Sequence, residues 1–276
     1  MEKSLDEAIS RMIFSASGWR SVFAEDEESH SGNISPASKT IAAIAAKVFS
    51  DYLPIEGAVI VGRDTRPTGE AIADAVIRSL LASGRKVCYT GIAAAPEIMA
   101  FARKTASNTG NTDGENATGF IYISASHNPI GHNGLKFGLT DGGVLQANEA
   151  AALVLAFNAF VASGTEKALP LLEGVSDGEM DKVYAKRDEN KKAALAAYTE
   201  FTAEVISGFG GISERENFFC TLRKGLAKRP FGITADFNGS ARTISIDRDF
   251  FSSLGVRFYS INDKPGEIAH RIVPEG

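Results

Sequence analysis

Cysteine is scarce in this chain of 276 residues: Cys88 and Cys220 are the only two, and they lie far apart. That excludes a disulfide framework and a paired-cysteine metal knuckle. Both thiols stand among apolar residues, so each is expected to be a buried free thiol in a reducing compartment. Histidine is almost as rare, with four residues, and Trp19 is the single tryptophan. No long basic block interrupts a mild net charge of −5, which argues against nucleic acid as a partner. No stretch could span a bilayer, and residues 1–6 lack the apolar run of an export signal, so the expected setting is cytoplasmic with no membrane partner. Neither Gly-x-x-x-x-Gly-Lys-Ser/Thr nor Gly-x-Gly-x-x-Gly follows an expected strand, which argues against a nucleotide-binding α/β domain.

What is present concentrates in residues 118–138. Phe120-Ile121-Tyr122-Ile123 is an unbroken apolar run, short enough for a strand buried on both faces. It stops at Ser124-Ala125-Ser126-His127-Asn128-Pro129, where Asn-Pro and then Gly131, Asn133 and Gly134 force turns. Leu135-Lys136-Phe137 resumes an alternating pattern with Lys136 on the polar face. Ser126 is therefore a candidate nucleophile or phosphate carrier, with His127 and Lys136 near it. Ser-His-Asn-Pro in isolation fits an unreactive hydrogen-bonded turn. The whole stretch, strand plus Asn133-Gly134-x-Lys136, turns the reading toward chemistry.

The rest of the chain alternates strands and helices. Residues 1–12 read as a short amphipathic helix, Ile13-Phe14 as the start of a strand, and 25–33 as a solvated acidic loop. Ser35-Pro36 opens a helix carrying Ile41, Ile44, Ala45, Val48 and Tyr52 at helical spacing. A strand at 58–61, a helix through Ile72, Val76 and Leu80 ended by Ser83-Gly84, and a strand at 86–90 follow. Pro96 opens another helix, 106–117 is a polar loop, and Asn148 is expected to cap an apolar helix that stops near Gly164. The pattern is α/β: a mixed, largely parallel sheet flanked by helices, one complete domain over 1–165 and an incomplete second domain of similar type over 191–276. Residues 166–190, charged and weakly patterned, read as a linker. In the second part the pattern predicts helices over 188–207, stopped by Gly208, and over 213–227 and 241–254, with strands at 231–237 and 256–260. Ligands on such sheets sit at strand carboxyl ends, where 62–64 and 124–129 can face one cleft.

Ser124-Ala125-Ser126-His127-Asn128-Pro129 followed by Asn133-Gly134-Leu135-Lys136-Phe137 resembles the phosphoserine loop of the α-D-phosphohexomutases, a family that includes phosphoglucomutases and phosphomannomutases. The family motif opens with threonine where this chain has Ser124, which keeps a hydroxyl. Phe14-Ser15-Ala16-Ser17-Gly18-Trp19-Arg20 is similar to the family's Phe-Gly-Thr-Ser-Gly-x-Arg, departing at Ser15 and Ala16. Gly62-Arg63-Asp64-Thr65-Arg66 resembles its Gly-x-Asp-x-Arg segment, and Asp236-Phe237-Asn238-Gly239 the strand-turn that begins its second domain. The serine loop is the specific part of the likeness.

The resemblance implies a phosphohexomutase that moves phosphate between O1 and O6 of a hexose phosphate through phosphorylated Ser126 and a bound hexose bisphosphate, which also serves as activator. It implies Lys136 as general acid/base with His127 assisting, and Arg20 on the phosphoserine. It implies Mg²⁺ held in part by a phosphate oxygen on Ser126, the remaining ligands lying with the C-terminal domains downstream of residue 276. On that expectation this chain alone is inactive. A phosphoglucosamine mutase and a non-catalytic sugar-phosphate-binding relative are the alternatives. Arg20 could instead stack on Trp19, Arg63, Asp64 and Arg66 suit a salt-bridged helix start, and His132 suits a solvated loop. Asp247-x-Asp249 sits in a helical pattern and is rejected as a metal pair.

Overall fold

Apolar β-formers and alanine-rich amphipathic segments alternate, and hydroxyl caps mark where several helices begin. The computed structural model describes residues 4–106, 116–126, 128–208 and 210–270. Helix α1 (Leu5–Ser10) starts where the Glu7 amide donates to Ser4 Oγ at 3.2 Å. Strands β1 (Ile13–Ser15) and β2 (Gly18–Val22) follow. Ser35 accepts from the Ser38 amide to begin α2 (Pro36–Tyr52), with proline where no N–H is needed. Then come β3 (Ala58–Arg63), α3 (Gly69–Ala82), β4 (Lys86–Ile92), α4 (Ala95–Ala106), β5 (Ala117–Ile123), β6 (His132–Leu139) and α5 (Ala147–Ala162).

These strands form one sheet in the order β1-β2-β6-β5-β3-β4. β3 is parallel to β4 and β5, while β6 is antiparallel to β5 and β2, and β2 to β1. Parallel ladders therefore occupy the half where helices cross over, and antiparallel ladders the half where β5 returns as β6. The period-2 alternation of strands buried on both faces sorts the core. Val59, Val61, Ile121 and Ile123 pack with α2, α3 and α5, whereas Ile60, Phe120 and Tyr122 pack with Ile98 and Phe101 of α4. Trp19 anchors the first layer, edge-on to Phe14, Phe137 and Phe157 at 5.1, 4.9 and 5.2 Å between ring centroids.

Several expectations change. The 166–190 stretch is no unpacked linker: it forms a short 3-10 turn, α6 (Leu169–Glu173), α7 (Asp177–Ala185) and the start of α8 (Arg187–Ser207). Ala168, Leu171, Val175, Met180 and Val183 reach the core from it, and the many outward charges hid that spacing. Residue 191 falls inside α8, which lies on α4 and β4, burying Ala194 and Ala197 and pairing Lys191 with the buried carboxylate of Glu97. Gly208, at φ +72°, ends that helix as the sequence predicts. α5 is entered at Gln146, whose amide donates to the Glu149 carboxylate at 2.8 Å, in place of a cap at Asn148.

Beyond it lie α9 (Ile212–Lys228), β7 (Gly232–Asp236), α10 (Asp247–Ser253) and β8 (Arg257–Ile261), with β7 parallel to β8. The helix expected over 241–254 is broken at extended Ser245, and Arg242 bridges the break to the Asp247 carboxylate. Cys220 is exposed, because α9 buries none of its residues, and Cys88 is only half-buried. No single helix among the described residues is long and apolar enough to cross a membrane.

Candidate active site

Parallel pairing sets the carboxyl ends of β3 and β5 side by side, and the Asp64 amide donates to the Ile123 carbonyl at 2.9 Å. Residues 64–66, Ser124, Ser126 and Ile130 border a cleft of about 270 Å³ whose far wall is Asn238, Ser240 and Arg242. A larger cavity of about 540 Å³, between α1 and the start of α2, is lined in part by Met12, Phe23 and Ile34. The smaller cleft is the candidate site because the Ser126 hydroxyl stands at its edge.

Ser126 is exposed, and its backbone is left-handed at φ +56°. That conformation costs an L-residue roughly 1–2 kcal/mol, so the surrounding bonds must hold it. Its amide donates to Ser124 Oγ at 3.1 Å, a use for the hydroxyl that stands in place of threonine. Lys136 Nζ donates to Ser126 Oγ at 2.9 Å. The lysine reaches it from β6 on the face opposite core residues Leu135 and Phe137. Glycine opposite makes room: a Cβ on Gly18, already at φ +131°, would stand 2.9 Å from Lys136 Cγ. Burial lowers the Lys136 pKa, the Arg20 charge lowers it further, and the Asp64 carboxylate opposes both.

Arg20 pairs across the sheet with Gly134, one position from the Trp19–Leu135 pair. Alternation sends Trp19 into the core and Arg20 to the Lys136 face, so the indole does not serve as a stacking platform for the guanidinium. His127 lies outside the described residues. His132 is not a solvated loop residue: it opens β6, partly buried, with Nε2 3.6 Å from Glu27 Oε1, and burial lowers its pKa. The cause is the 23–27 segment folding over the turn, where the Phe23 and Ala24 amides donate to the Gly131 carbonyl and Gly131 donates to the Glu27 carbonyl.

The 62–66 segment holds more than a salt bridge. Arg66 Nε is 3.4 Å from Asp64 Oδ2, and Asp64 Oδ1 accepts the Arg66 amide at 3.0 Å. The guanidinium also donates to the carbonyls of Ser126, Asn128, Pro129, Ile130 and His132 at 2.9, 2.7, 2.5, 3.3 and 3.0 Å. Sequence reasoning missed this second role. The available signal was a loop of turns whose inward carbonyls need donors from elsewhere. Asn133 adds a second brace, fully buried, donating to Thr68 Oγ1 at 3.0 Å. Burial raises the Asp64 pKa against the opposing Arg66 amide and charge. Asp247 is engaged by Arg242, and among the described residues no three His, Cys, Asp or Glu side chains gather to hold a metal ion.

Residues 11–160 match the model of a family described as phosphoglucomutase/phosphomannomutase, alpha/beta/alpha domain I. A phosphoglucosamine mutase of Staphylococcus aureus (strain JH9) is 38 % identical over 99 residues, covering 35 % of this chain and 20 % of that protein. A solved phosphoglucomutase/phosphomannomutase family protein of Burkholderia thailandensis superposes with a TM-score of 0.56 at 17 % identity, over 94 % of this chain and 46 % of its own. The open form of the Paramecium phosphoglucomutase pp63/parafusin gives a TM-score of 0.55 at 16 % identity, over 83 % and 40 %. At such identities the structural likeness speaks for the fold. The chain spans less than half the length of these solved relatives.

Proposed function

We propose, from the premise that this chain belongs to the phosphoglucomutase/phosphomannomutase family, that Ser126 carries the phosphoryl group of a cytoplasmic phosphohexomutase. The observation that carries this reading is Lys136 Nζ at 2.9 Å from an exposed serine hydroxyl held in left-handed backbone. Phosphoryl transfer asks mainly for positioning and charge stabilisation, and these side chains supply both. The bond from phosphorus to Ser126 Oγ breaks as one forms to a hydroxyl of a bound hexose phosphate. Neutral Lys136 takes the proton of that hydroxyl and returns it to the departing serine oxygen. The resulting hexose bisphosphate turns over, its other phosphate returns to Ser126 by the reverse steps, and phosphate has moved between O1 and O6. Arg20, on the Lys136 face of the sheet, balances phosphate charge. The assisting role of His127 rests on the loop motif alone.

Phosphorylated Ser126 would offer Mg²⁺ one oxygen ligand, but the described residues gather no further set of ligands and so do not fit a complete magnesium site. The solved relatives are more than twice as long, and we place the remaining metal and sugar contacts outside the part they share with this chain, which leaves these 276 residues alone without turnover. Glucose and mannose phosphates are the substrates of this reading. The 38 % identity to a phosphoglucosamine mutase favours an amino-sugar phosphate as a second one. A non-catalytic sugar-phosphate binder has less support, because it has no use for the Ser126–Lys136 contact. Incubation with glucose 1,6-bisphosphate followed by peptide mass spectrometry should place phosphate on Ser126. Phosphate on Ser124 or another residue in its stead would overturn the assignment.

A further inference from the structure

We infer that Arg66 is a positioning residue for the phosphate-carrying loop, acting through the loop carbonyls to set the place and backbone conformation of Ser126. The inference rests on the Ser126 reading above and deepens it.

A loop that leaves β5 and re-enters as β6 within nine residues cannot pair its own carbonyls in a ladder. Four of them, from Ser126, Asn128, Pro129 and Ile130, and the carbonyl of His132 at the start of β6 turn toward one guanidinium. Arg66 is 6 % exposed, so water does not take its place. Its planar fork offers five N–H donors: Nε faces Asp64, Nη2 serves the carbonyls of Ser126 and Asn128, and the two hydrogens of Nη1 are shared among those of Pro129, Ile130 and His132. One of the five acceptors is the carbonyl of Ser126 itself. The residue that bears the reacting hydroxyl is thus fixed on its carbonyl side by Arg66 and on its amide side by Ser124 Oγ, which is what an unfavourable φ of +56° requires. Lysine would match the Asp64 charge, but a single ammonium with three donors cannot span five carbonyls. Because the guanidinium reaches backbone and no reacting atom, its influence on chemistry passes through where it puts the serine.

The test compares Arg66→Lys with Arg85→Lys in the full-length protein. Arg85 is an equally buried arginine that binds carbonyls of residues 50–55 at the far end of the sheet. Two quantities are read: amide hydrogen exchange across 124–134, and the rate at which glucose 1,6-bisphosphate phosphorylates Ser126. Arg66→Lys should speed exchange in that loop and slow phosphorylation by about 10²-fold, the scale of an ångström of misplacement. Arg85→Lys should lower the melting temperature comparably, speed exchange only near 50–56, and leave the phosphorylation rate within about threefold. Should Arg66→Lys not fold, Arg66→Gln is read in the same way. Loop exchange that stays unchanged, or phosphorylation that keeps its rate while the unsubstituted protein is phosphorylated, overturns the positioning role alone. Absence of phosphate on Ser126 in the unsubstituted protein overturns the phosphoserine reading, and this inference with it.

Discussion

At the carboxyl ends of the parallel strands Arg66 gathers the carbonyls of the serine loop; at their amino ends Arg85 does the same for the turn between α2 and β3. The two arginines are 6 % and 8 % exposed. Arg85 Nη1 meets the Ile55 carbonyl at 2.8 Å, Nη2 the Leu53 carbonyl at 3.0 Å, and Nε Ser50 Oγ at 3.0 Å. A buried arginine feeding carbonyls is therefore a way to close a turn, and by itself says nothing about chemistry. What the turn presents differs. One end shows a strained serine touched by a half-buried lysine, while the other shows Ile55, 94 % exposed, and Glu56. Volume points the wrong way, since the hollow at the amino end is about 610 Å³ against about 270 Å³ for the cleft. Helix direction points the right way: α3 and α4 begin just after β3 and β4, so their positive N-terminal ends face the carboxyl edge where phosphate would lie.

The comparison is broken most sharply at Lys136. Lys136→Ala should slow turnover of the full-length enzyme by about 10²–10⁴-fold, the usual worth of a placed acid/base group, while melting changes little. The pH profile carries the sign. Burial holds the folded pKa of Lys136 below its ordinary 10.5, so the neutral amine, and with it the rate, rises as pH climbs through that lowered value. Stability runs in the same direction. A lysine with a depressed folded pKa disfavours the fold while charged, and that penalty is relieved between the depressed value and 10.5. Lys136→Arg, charged at every accessible pH, should abolish the alkaline rise. An unchanged rate in Lys136→Ala, or its collapse in melting, would make the lysine structural and leave the two ends of the sheet alike.

Arg85→Ala sharpens the comparison from the other end. It strips partners from carbonyls of Leu53 and Ile55 and from Ser50 Oγ. Each unpaired buried group costs about 1–3 kcal/mol, and partial hydration of an edge turn puts the total near 3 kcal/mol. Denaturant melts should register that loss, while activity per folded molecule stays the same. Activity falling alongside stability would mean the amino end is coupled to the site.

How much of this was legible beforehand follows from how far each interaction reaches along the chain. Strand β5, its loop and Lys136 on the polar face of β6 are local patterns, and they stood in the sequence. So did the Gly208 stop, which needs only a left-handed residue after a helix. Arg66 could be read as the partner of Asp64 two positions away, yet its bonds to Ser126 and Asn128 span 60 and 62 residues and depend on β3 lying beside β5. The helices of 166–190 were hidden because few apolar positions face the core there and charges fill the rest. His132 looked exposed because nothing local announces that the 23–27 segment folds over it. The break at extended Ser245, spanned by Arg242 reaching Asp247, likewise rests on a side-chain contact that a helical apolar pattern does not announce.

The smallest expected effect lies where the 64–66 segment meets the second unit, the two-stranded β7–β8 sheet with α10. Thr65, between Asp64 and Arg66, lines the cleft and donates Oγ1 to the Gly239 carbonyl at 2.9 Å. That carbonyl also accepts the Gly266 amide at 2.7 Å, and the Gly239 amide donates to the Asn262 carbonyl at 2.9 Å. Gly239 is thus held by its own unit, at a φ of +67° that suits glycine, before Thr65 adds anything. Thr65→Val keeps the shape and removes one of two donors to an acceptor that retains the other. The cost should be about 0.5–1 kcal/mol, with turnover within about threefold. Faster amide exchange in Gly232–Asp236 is the readout expected if the bond steadies the far wall of the cleft. A tenfold loss of turnover with unaltered melting would mean that this single bond sets how the cleft closes. The carboxyl edge would then owe its function to the second unit as much as to the loop that Arg66 holds.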